Sequence, residues 1–290
     1  MAKEYWYFLA GMLAVALPLA ALLAIKKLDL LGDRPDARIV YATAGDTQLT
    51  LHAFHPRGLN RTSPAPALLL FHGGGWRFGS PQQFYPQCRA FAALGYLCFS
   101  AAYRLSPHDP PDLRGAIDDA ARALQYLHDH AVELGVDVAR IVAGGGSAGG
   151  HLAASLGAGL HGQQHPRPRA LLLLNPVLDF APCTPFHHLA GTDWRAVSPL
   201  QAVDARFPPA LLQSGSLDVE VPPAAVHAFC DTVNAAGGDC RTQIYDGQRH
   251  GFFNAENRDG EYLRRSNEAM ADFLRDLGLQ ASPLAGPVSH

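Results

Sequence analysis

The 290-residue sequence predicts an α/β fold with a mainly parallel central sheet and helices on both faces, preceded by one N-terminal transmembrane helix. Short, wholly apolar runs alternate with amphipathic stretches along the chain. In parallel sheets the strands are buried on both faces and are separated by crossover helices, which gives this alternation. Hydrophobic residues make up 48% of the chain and charged residues 17%, the opposite of the balance in disordered proteins.

The charge of the chain argues against a nucleic-acid partner. Lys and Arg number 23 and Asp and Glu 26, which leaves a net charge of −3 at pH 7. Affinity for a phosphate backbone comes from clustered Lys and Arg, and the sequence has no basic run. We therefore expect no nucleic acid among its partners.

The N-terminal segment is apolar over the length of a membrane span. Residues 5–25 carry no charge over 21 positions, and a helix of that length would span about 31 Å, close to the hydrocarbon thickness of a bilayer. Lys26 and Lys27 follow and can extend into the headgroups. The pattern predicts a single-pass membrane anchor over residues 1–27. The alternative is a secretory signal that is cleaved on export.

The side of the membrane that the large domain faces stays open. Lys and Arg are more frequent after the apolar segment than before it, which places the domain in the cytoplasm by the positive-inside rule. Enzymes behind an N-terminal anchor are, however, often exported. The five cysteines do not decide, because their number is odd and no pair has metal-site spacing. Cys98 falls in a predicted buried strand, where a free cysteine acts as a small apolar residue.

The pattern predicts a linker over residues 28–37, one α/β domain over residues 38–277 and a flexible tail over residues 278–290. The first two predicted strands are joined by a Gly-Asp turn. The predicted strands are residues 38–42, 47–54, 67–71, 97–101, 141–144, 170–174, 210–213 and 241–245. The predicted helices are residues 82–94, 112–134, 147–160, 223–236 and 260–277.

A nucleophile motif lies between a predicted strand and a predicted helix. Residues 145–149 are Gly-Gly-Ser-Ala-Gly, the G-x-S-x-G pattern with Ser147 at its centre. In this context the serine occupies a strand-to-helix turn so tight that the flanking positions require glycine. The turn raises the hydroxyl above the sheet at a helix N-terminus, where negative charge is favoured.

A second glycine motif, His-Gly-Gly-Gly-Trp at residues 72–76, follows the predicted strand 67–71. Acyl transfer generates an oxyanion, and backbone N–H groups directed at it lower the barrier. Consecutive glycines let the main chain approach without Cβ atoms in the way. Because both motifs occur in the expected order, we interpret this segment as an oxyanion loop and not as a flexible linker.

A serine nucleophile needs a base, and the base needs a carboxylate that orients it. His250 follows the predicted strand 241–245, and Asp218 follows the predicted strand 210–213. The order Ser147, Asp218, His250 places each residue at the carboxyl end of a strand, where open parallel sheets carry their sites. Glu220 and Asp179 are the alternatives to Asp218 as the acid.

The remaining histidines predict no metal site. His151 lies one turn into the helix after Ser147 and is predicted to pack beside the site. His187 and His188 lie in a loop without the third ligand and the spacing that zinc requires. We therefore predict neither a metal nor another cofactor.

With these motifs the chain resembles the α/β-hydrolase superfamily, and within it the hormone-sensitive-lipase-like carboxylesterases and their acetyl-esterase relatives. The resemblance extends over residues 38–277. It rests on HGGGW at 72–76, YRLSP at 103–107, GGSAGG at 145–150, SGSLD at 214–218 and HGFF at 250–253.

The resemblance implies a role for each matching residue. Ser147 would be the nucleophile, His250 the base and Asp218 its partner. The oxyanion donors would be the N–H groups of Gly74, Gly75 and Ala148. His72 and Gly73 would support the oxyanion loop, and Arg104 would hold the loops at the sheet end.

The chain also departs from the family pattern. Ala102 and His108 stand where relatives usually have an Asp and a Glu that support the scaffold. The linker is too short for the usual N-terminal helical cap, and the insertion at residues 176–200 is too short for a full lid. An open pocket suits short-chain acyl esters better than long-chain lipids.

These observations predict a serine carboxylic-ester hydrolase with a Ser-His-Asp triad and an HGGG oxyanion hole, acting on a small-molecule, acetyl-like ester. One alternative uses the same machinery on amides, as an aryl-formamidase or a peptidase. The other is a non-catalytic binding protein with a hydrolase fold.

Overall fold

Eight strands form one sheet in the computed structural model, which describes residues 34–57, 63–162 and 165–281. The strands are β1 Ala37–Ala44, β2 Thr47–Phe54, β3 Ala65–Phe71, β4 Leu97–Ala101, β5 Val136–Gly146, β6 Ala170–Leu174, β7 Ala210–Gly215 and β8 Cys240–Tyr245. Their order across the sheet is β1-β2-β4-β3-β5-β6-β7-β8. All described elements lie in the unit that begins at Asp36.

The sheet is mainly parallel, as predicted. β2 pairs antiparallel with β1 and β4, whereas every other neighbouring pair from β4 to β8 is parallel. The parallel register follows the apolar runs: Leu69 lies opposite Phe99 on one side and Ala143 on the other. The carboxyl ends of β3 and β5 to β8 therefore meet along one edge of the sheet.

Helices cover both faces of the sheet. They are α1 Tyr85–Ala93, α2 Leu113–Asp129, α3 Ala131–Leu134, α4 Ala148–Ala158, α5 His187–Ala190, α6 Pro223–Ala235 and α7 Glu261–Asp276. Short 3₁₀ helices are Pro81–Phe84, Gly191–Val197, Pro199–Ala202 and Asn257–Gly260.

Two hydrophobic cores lie on opposite faces of the sheet, because successive side chains of a strand point to opposite sides. In β3, Leu69 joins the core beneath α2, α4 and α6, while Leu68 and Leu70 join the core beneath α1 and α7. The apolar residues that sequence analysis assigned to strands are thus buried from both sides, which holds the strand ends rigidly in place.

Two helices differ in detail from the prediction. The stretch 112–134, predicted as one helix, is divided between α2 and α3, because His130 leaves helical backbone at φ −107° and ψ 19°. Its ring stacks on Tyr126 at a centroid distance of 3.9 Å, and its Nδ1–H donates to the Tyr126 carbonyl. The stretch predicted as helix 82–94 begins instead with the 3₁₀ turn Pro81–Phe84.

Cys98 is buried in its strand, as predicted, but it is not free. Cys88 of α1 and Cys98 of β4 form a disulfide, and Cys230 of α6 and Cys240 of β8 form a second, each with a Cα–Cα distance of 5.1 Å. In both cases a helix packs over the strand that follows it, which brings the two cysteines together. Of the five cysteines, Cys183 is free and exposed.

The predicted membrane anchor at residues 5–25 lies outside the described residues, as do most of the linker and the tail beyond residue 281. Within the described ranges, no helix has both the length and the apolar character that crossing a bilayer requires.

Candidate active site

Ser147 occupies the turn between β5 and α4, with φ 54° and ψ −117°. This conformation is strained for a residue with a Cβ atom, and glycines on both sides make it possible. A Cβ atom at Gly149 would overlap the carbonyl oxygens of Phe71 and His72. A Cβ atom at Gly145 would likewise overlap the Phe71 carbonyl oxygen. The G-x-S-x-G pattern therefore follows from how closely the turn packs against the end of β3.

The three residues predicted as a triad lie within hydrogen-bond distance of one another. Ser147 Oγ–H donates to His250 Nε2 at 2.9 Å, and His250 Nδ1–H donates to Asp218 Oδ2 at 2.8 Å. The Asp218 side chain is fully buried, while that of His250 is 17% exposed. A hydroxyl at the surface is thus linked through an imidazole to a carboxylate in the interior.

Backbone groups fix the orientation of the Asp218 carboxylate. Its Oδ1 accepts from the N–H of Glu220 at 3.0 Å and of Val221 at 2.9 Å, which leaves Oδ2 for His250. Main-chain donors of this kind stabilise the ionised form of an acid. Asp218 is therefore both buried and directed at the imidazole.

The two alternative acids lie elsewhere. Glu220 Oε2 is 3.7 Å from His250 Nε2, the nitrogen that faces Ser147, and its side chain is 64% exposed. Asp179 Oδ1 instead accepts from Ser198 Oγ at 2.7 Å and from the Ala181 N–H at 3.1 Å. Asp179 thus anchors the insertion after β6, and neither carboxylate contacts His250 Nδ1.

The oxyanion-loop candidate is held by a side chain from the following 3₁₀ turn. Gly73 N–H donates to Gln83 Oε1 at 2.7 Å, and Gln83 Nε2–H donates to Asn254 Oδ1 at 3.0 Å. The carbonyl of Gly74 accepts from the N–H groups of Arg77 and Phe78, both at 3.1 Å. These bonds close the segment into a compact turn.

The glycine loop and the start of α4 together have three N–H groups without an acceptor among the described residues: those of Gly74, Gly75 and Ala148. Gly74 and Gly75 have φ values of 119° and 58°, which only glycine adopts readily. Ala148 is the first residue of α4, where no intrahelical acceptor exists. A Cβ atom at Gly73 would lie 3.5 Å from Ser147 Cβ, so the loop passes close beside the nucleophile candidate.

His72 is a buried, neutral histidine beneath this loop. Its Nδ1–H donates to the Gly73 carbonyl at 2.7 Å, and its ring stacks on Tyr103 at 4.4 Å. Burial lowers the pKa of His72 to about 4, because a charged imidazole loses its hydration there. Tyr103 Oη–H donates to the His72 carbonyl at 2.9 Å.

His151 packs beneath the site, at the position predicted for it. It is fully buried, its Nδ1 accepts from Trp76 Nε1–H at 3.1 Å, and its Nε2–H donates to the Val197 carbonyl at 2.7 Å. Burial lowers the pKa of His151 to about 4. The ring therefore links the oxyanion-loop candidate to the insertion after β6 and does not face the nucleophile candidate.

Asn175, which follows β6 directly, is a further residue of the site that was not predicted from the sequence. Its side chain is fully buried and its φ is 38°. Gly251 N–H donates to its Oδ1 at 3.2 Å, and its Nδ2–H donates to His250 Nε2 at 3.3 Å. Its place at the carboxyl end of a parallel strand was the signal that could have identified it. Gln83 had no comparable signal, because it lies in a turn.

Arg104 forms ion pairs with two acidic residues, the N-cap of α2 and a buried residue within it. Its guanidinium donates to both carboxylate oxygens of the buried Asp119, at 2.7 and 2.8 Å, and to Asp112 at 3.1 Å. The hydrogen bonds to Asp119 raise the pKa of Arg104 above its ordinary value. These hydrogen bonds fix the Arg104 side chain at the N-terminal part of α2.

Among the described residues, no group of three or more His, Cys, Asp and Glu side chains is arranged to hold a metal ion. The absence of a metal and of any other cofactor stays a prediction.

Two family models match the chain. Residues 68–190 match a model described as alpha/beta hydrolase fold, and residues 183–276 match one described as the prolyl oligopeptidase family. The first segment contains the oxyanion-loop candidate and Ser147, and the second contains Asp218 and His250.

Two similar proteins of Mycobacterium tuberculosis are named as esterases. Carboxylesterase NlhH of Mycobacterium tuberculosis is 35% identical over 124 residues, which are 41% of this chain and 38% of that protein. Esterase LipC of the same organism is 27% identical over 247 residues, 74% of this chain and 59% of that protein. These matches span less than two thirds of the length of either relative.

A solved structure is similar over nearly the whole of its length. The apo form of Thermogutta terrifontis esterase 2 is 33% identical and superposes with a TM-score of 0.79, covering 85% of this chain and 96% of that one.

Proposed function

The chain belongs to the α/β-hydrolase carboxylesterases, and from this premise we propose that it is a serine esterase that hydrolyses short-chain acyl esters. One observation carries the proposal: Ser147 Oγ lies 2.9 Å from His250 Nε2, while Nδ1 of the same ring bonds to the buried Asp218. This arrangement activates a hydroxyl as a nucleophile.

The first half-reaction forms an acyl-enzyme. Ser147 Oγ attacks the ester carbonyl carbon while His250 Nε2 takes the hydroxyl proton. Asp218 keeps the other ring proton on Nδ1 and stabilises the imidazolium that results. The negative charge that develops on the carbonyl oxygen is received by the N–H groups of Gly74, Gly75 and Ala148. His250 then gives its proton to the leaving alcohol as the C–O bond breaks.

The second half-reaction releases the acid. Water takes the place of the alcohol, His250 removes its proton, and the hydroxide attacks the acyl carbonyl. The same N–H groups receive the second oxyanion, and the C–O bond to Ser147 breaks as His250 returns the proton to Oγ. Apart from the ester and water, every step uses groups of the chain itself.

The preference for short acyl chains is supported by the related esterase. Thermogutta terrifontis esterase 2 has been described with propionate and with butyrate bound. In this chain the insertion after β6 contains only short helical turns, α5, Gly191–Val197 and Pro199–Ala202. A cover of this size leaves the site open for small esters.

The test is replacement of Ser147 by alanine. We expect hydrolysis of p-nitrophenyl acetate to fall at least about 10³-fold, because the nucleophile is removed. Ser155→Ala in α4 is the matched control, since the buried Ser155 hydroxyl has no hydrogen-bond partner among the described residues. Retention of activity by Ser147→Ala would overturn the proposal.

Covalent labelling provides a second readout. The T. terrifontis esterase is phosphorylated by paraoxon, and we expect paraoxon to modify this chain once, at Ser147, as seen by peptide mass spectrometry. A folded protein that resists the reagent would favour a non-catalytic binding protein.

Peptide hydrolysis is the second candidate, because residues 183–276 match the prolyl oligopeptidase family. Amides and esters share the oxyanion, so the motifs do not separate them. Comparison of an acetyl ester with a peptide p-nitroanilide distinguishes the two: a higher kcat/KM for the anilide would favour the peptidase.

We also propose that residues 5–25 anchor the enzyme in a membrane, with the catalytic domain on the oxidising side. The two disulfides support this orientation, because such bonds persist outside reducing compartments. Protease added to intact cells should then digest the domain. Full protection, together with alkylation of all five cysteines without prior reduction, would place the domain in the cytoplasm.

A further inference from the structure

Glu220 places an exposed carboxylate beside the catalytic base. Its Oε2 lies 3.7 Å from His250 Nε2, and its side chain is 64% exposed. Within the described part of the chain, Glu220 has no Lys or Arg ion-pair partner. Its negative charge is therefore available to a bound molecule.

The position of this carboxylate is tied to that of the triad candidate. The N–H of Glu220 donates to Asp218 Oδ1 at 3.0 Å, so the Glu220 main chain is held by the same carboxylate that orients His250. Leu217 and Val219, on either side of Asp218, are 53% and 86% exposed. The segment 217–220 thus combines two exposed apolar side chains with one negative charge.

Nε2 is the atom that protonates the leaving alcohol, so the alcohol oxygen must come within about 3 Å of it. Glu220 Oε2 lies 3.7 Å from the same nitrogen. The carboxylate therefore borders the space through which the alcohol part of the ester leaves. A charge two or three bonds along that alcohol can come within about 6 Å of it.

We propose that Glu220 determines specificity on the alcohol side of the ester, so that the enzyme favours esters of cationic alcohols and disfavours esters of anionic ones. This inference rests on the proposed esterase function and defines its substrate class further. At about 6 Å and an intermediate dielectric, one unit charge changes kcat/KM about tenfold in either direction.

The experiment compares three acetate esters: those of choline (cationic), of 3,3-dimethylbutanol (its neutral isostere) and of 3-hydroxypropanoate (anionic). For the wild type we expect a kcat/KM ratio of cationic to neutral ester of about ten, and of anionic to neutral of about one tenth. Both ratios should move towards one at 1 M salt, because mobile ions screen an exposed charge.

Three variants test the residue. Glu220→Gln should bring both ratios to within about twofold of the ratios seen at high salt, and Glu220→Lys should reverse the preference. Glu133→Gln is the matched control, since Glu133 of α3 precedes β5 at the opposite edge of the sheet and its loss changes the net charge equally. It should leave the ratios at their wild-type values.

The outcomes separate this inference from the function on which it rests. Hydrolysis of the neutral ester with ratios that are the same in the wild type, Glu220→Gln and Glu220→Lys would overturn the role of Glu220 alone. A charge preference that does not respond to salt would overturn it as well. Failure of the wild type to hydrolyse any of the three esters would overturn both.

Discussion

Two main-chain segments meet at the site, and they are held in different ways. The turn at residues 145–149 is fixed by the packing of backbone against backbone, since Gly149 lies against the carbonyl oxygens of Phe71 and His72. The glycine loop at residues 72–75 also has a main-chain contact, between Gly74 and the Phe78 carbonyl, but it is held in addition by a side chain, because Gln83 accepts the Gly73 N–H. The position of the turn therefore depends on main-chain packing, whereas that of the loop depends in addition on a side chain that can be exchanged.

The difference shows where this site can vary. A turn held by close packing fixes the nucleophile with little freedom, and any change there alters the fold as well. A loop held by hydrogen bonds can shift slightly when a side chain changes, so substitutions there should affect the rate more than the stability. The predictions below test this contrast, from the largest expected effect to the smallest.

The largest effect is expected from Gly149→Ala. The added methyl group would overlap two carbonyl oxygens that belong to the end of β3 and cannot move away. We expect loss of about 3 kcal/mol or more in the free energy of unfolding and at least a 100-fold drop in kcat/KM, measured by urea unfolding and ester hydrolysis.

Gly157→Ala in the same helix is the control. Its methyl group would meet the flexible end of Leu171 at 2.6 Å, and alanine is the better helix former. If Gly149→Ala proved as stable and active as Gly157→Ala, backbone packing would not be what fixes the turn.

Each segment also has a neutral histidine nearby, and both should make the protein sensitive to acid. Burial lowers the pKa of His72 and of His151 from 6.5 to about 4. Between pH 6.5 and pH 4 the unfolded chain binds more protons than the folded one. The free energy of unfolding is therefore unaffected above about pH 6.5 and decreases as the pH falls towards 4. The loss is about 3 kcal/mol for each histidine.

Unfolding by urea at pH 7 and pH 4 measures this contribution. In His151→Gln the difference between the two pH values should shrink by about 3 kcal/mol. His108→Gln, which replaces an exposed imidazole, should leave the difference as it is in the wild type. An equal acid sensitivity of His151→Gln and the wild type would contradict the assignment.

For the glycine loop we expect Gln83→Ala to lower kcat about 10- to 100-fold, because the Gly73 N–H loses its acceptor and the neighbouring donors lose their direction. The free energy of unfolding should fall by only about 1 kcal/mol. Gln82→Ala changes the exposed neighbour in the same turn and should have little effect on either quantity. Equal activity of the two variants would show that the glycine loop keeps its conformation without the Gln83 side chain.

The smallest effect is expected at Asn175, which bonds to both the His250 ring and the Gly251 N–H. Asn175→Ala should lower kcat about tenfold with KM nearly unchanged, because the base is oriented less well while substrate contacts remain. Asn175→Ser, which keeps a short donor and acceptor, should recover part of the loss. A change in KM alone would instead place Asn175 in substrate binding.

The parallel sheet and the residues of the triad candidate were predictable because they depend on local patterns. Apolar runs mark buried strands, and the glycines around Ser147 mark a tight turn. Asp218 and His250 were found because each directly follows a strand. The glycine motif after β3 indicated an oxyanion loop, and the family resemblance then indicated which N–H groups would be the donors.

What the sequence did not reveal depends on contacts between distant segments. The partner of Cys98 lies on a helix whose crossing over β4 is fixed only by the folded core. Gln83 and Asn175 act through single hydrogen bonds to groups in other loops. The carboxylates that bind Arg104 belong to α2 and its N-cap residue, and their positions in the sequence do not indicate that contact.

The parallel sheet also has a consequence for the order of folding. Ser147 and His250 are 103 residues apart in sequence, and they meet only because β5 to β8 have paired side by side. Contacts between such distant segments form late, because the chain entropy of closing the loop must be overcome first. A refolding molecule therefore acquires its base only when β8 has joined β7. Recovered activity reports the completion of the sheet, whereas circular dichroism already responds when the first helices form.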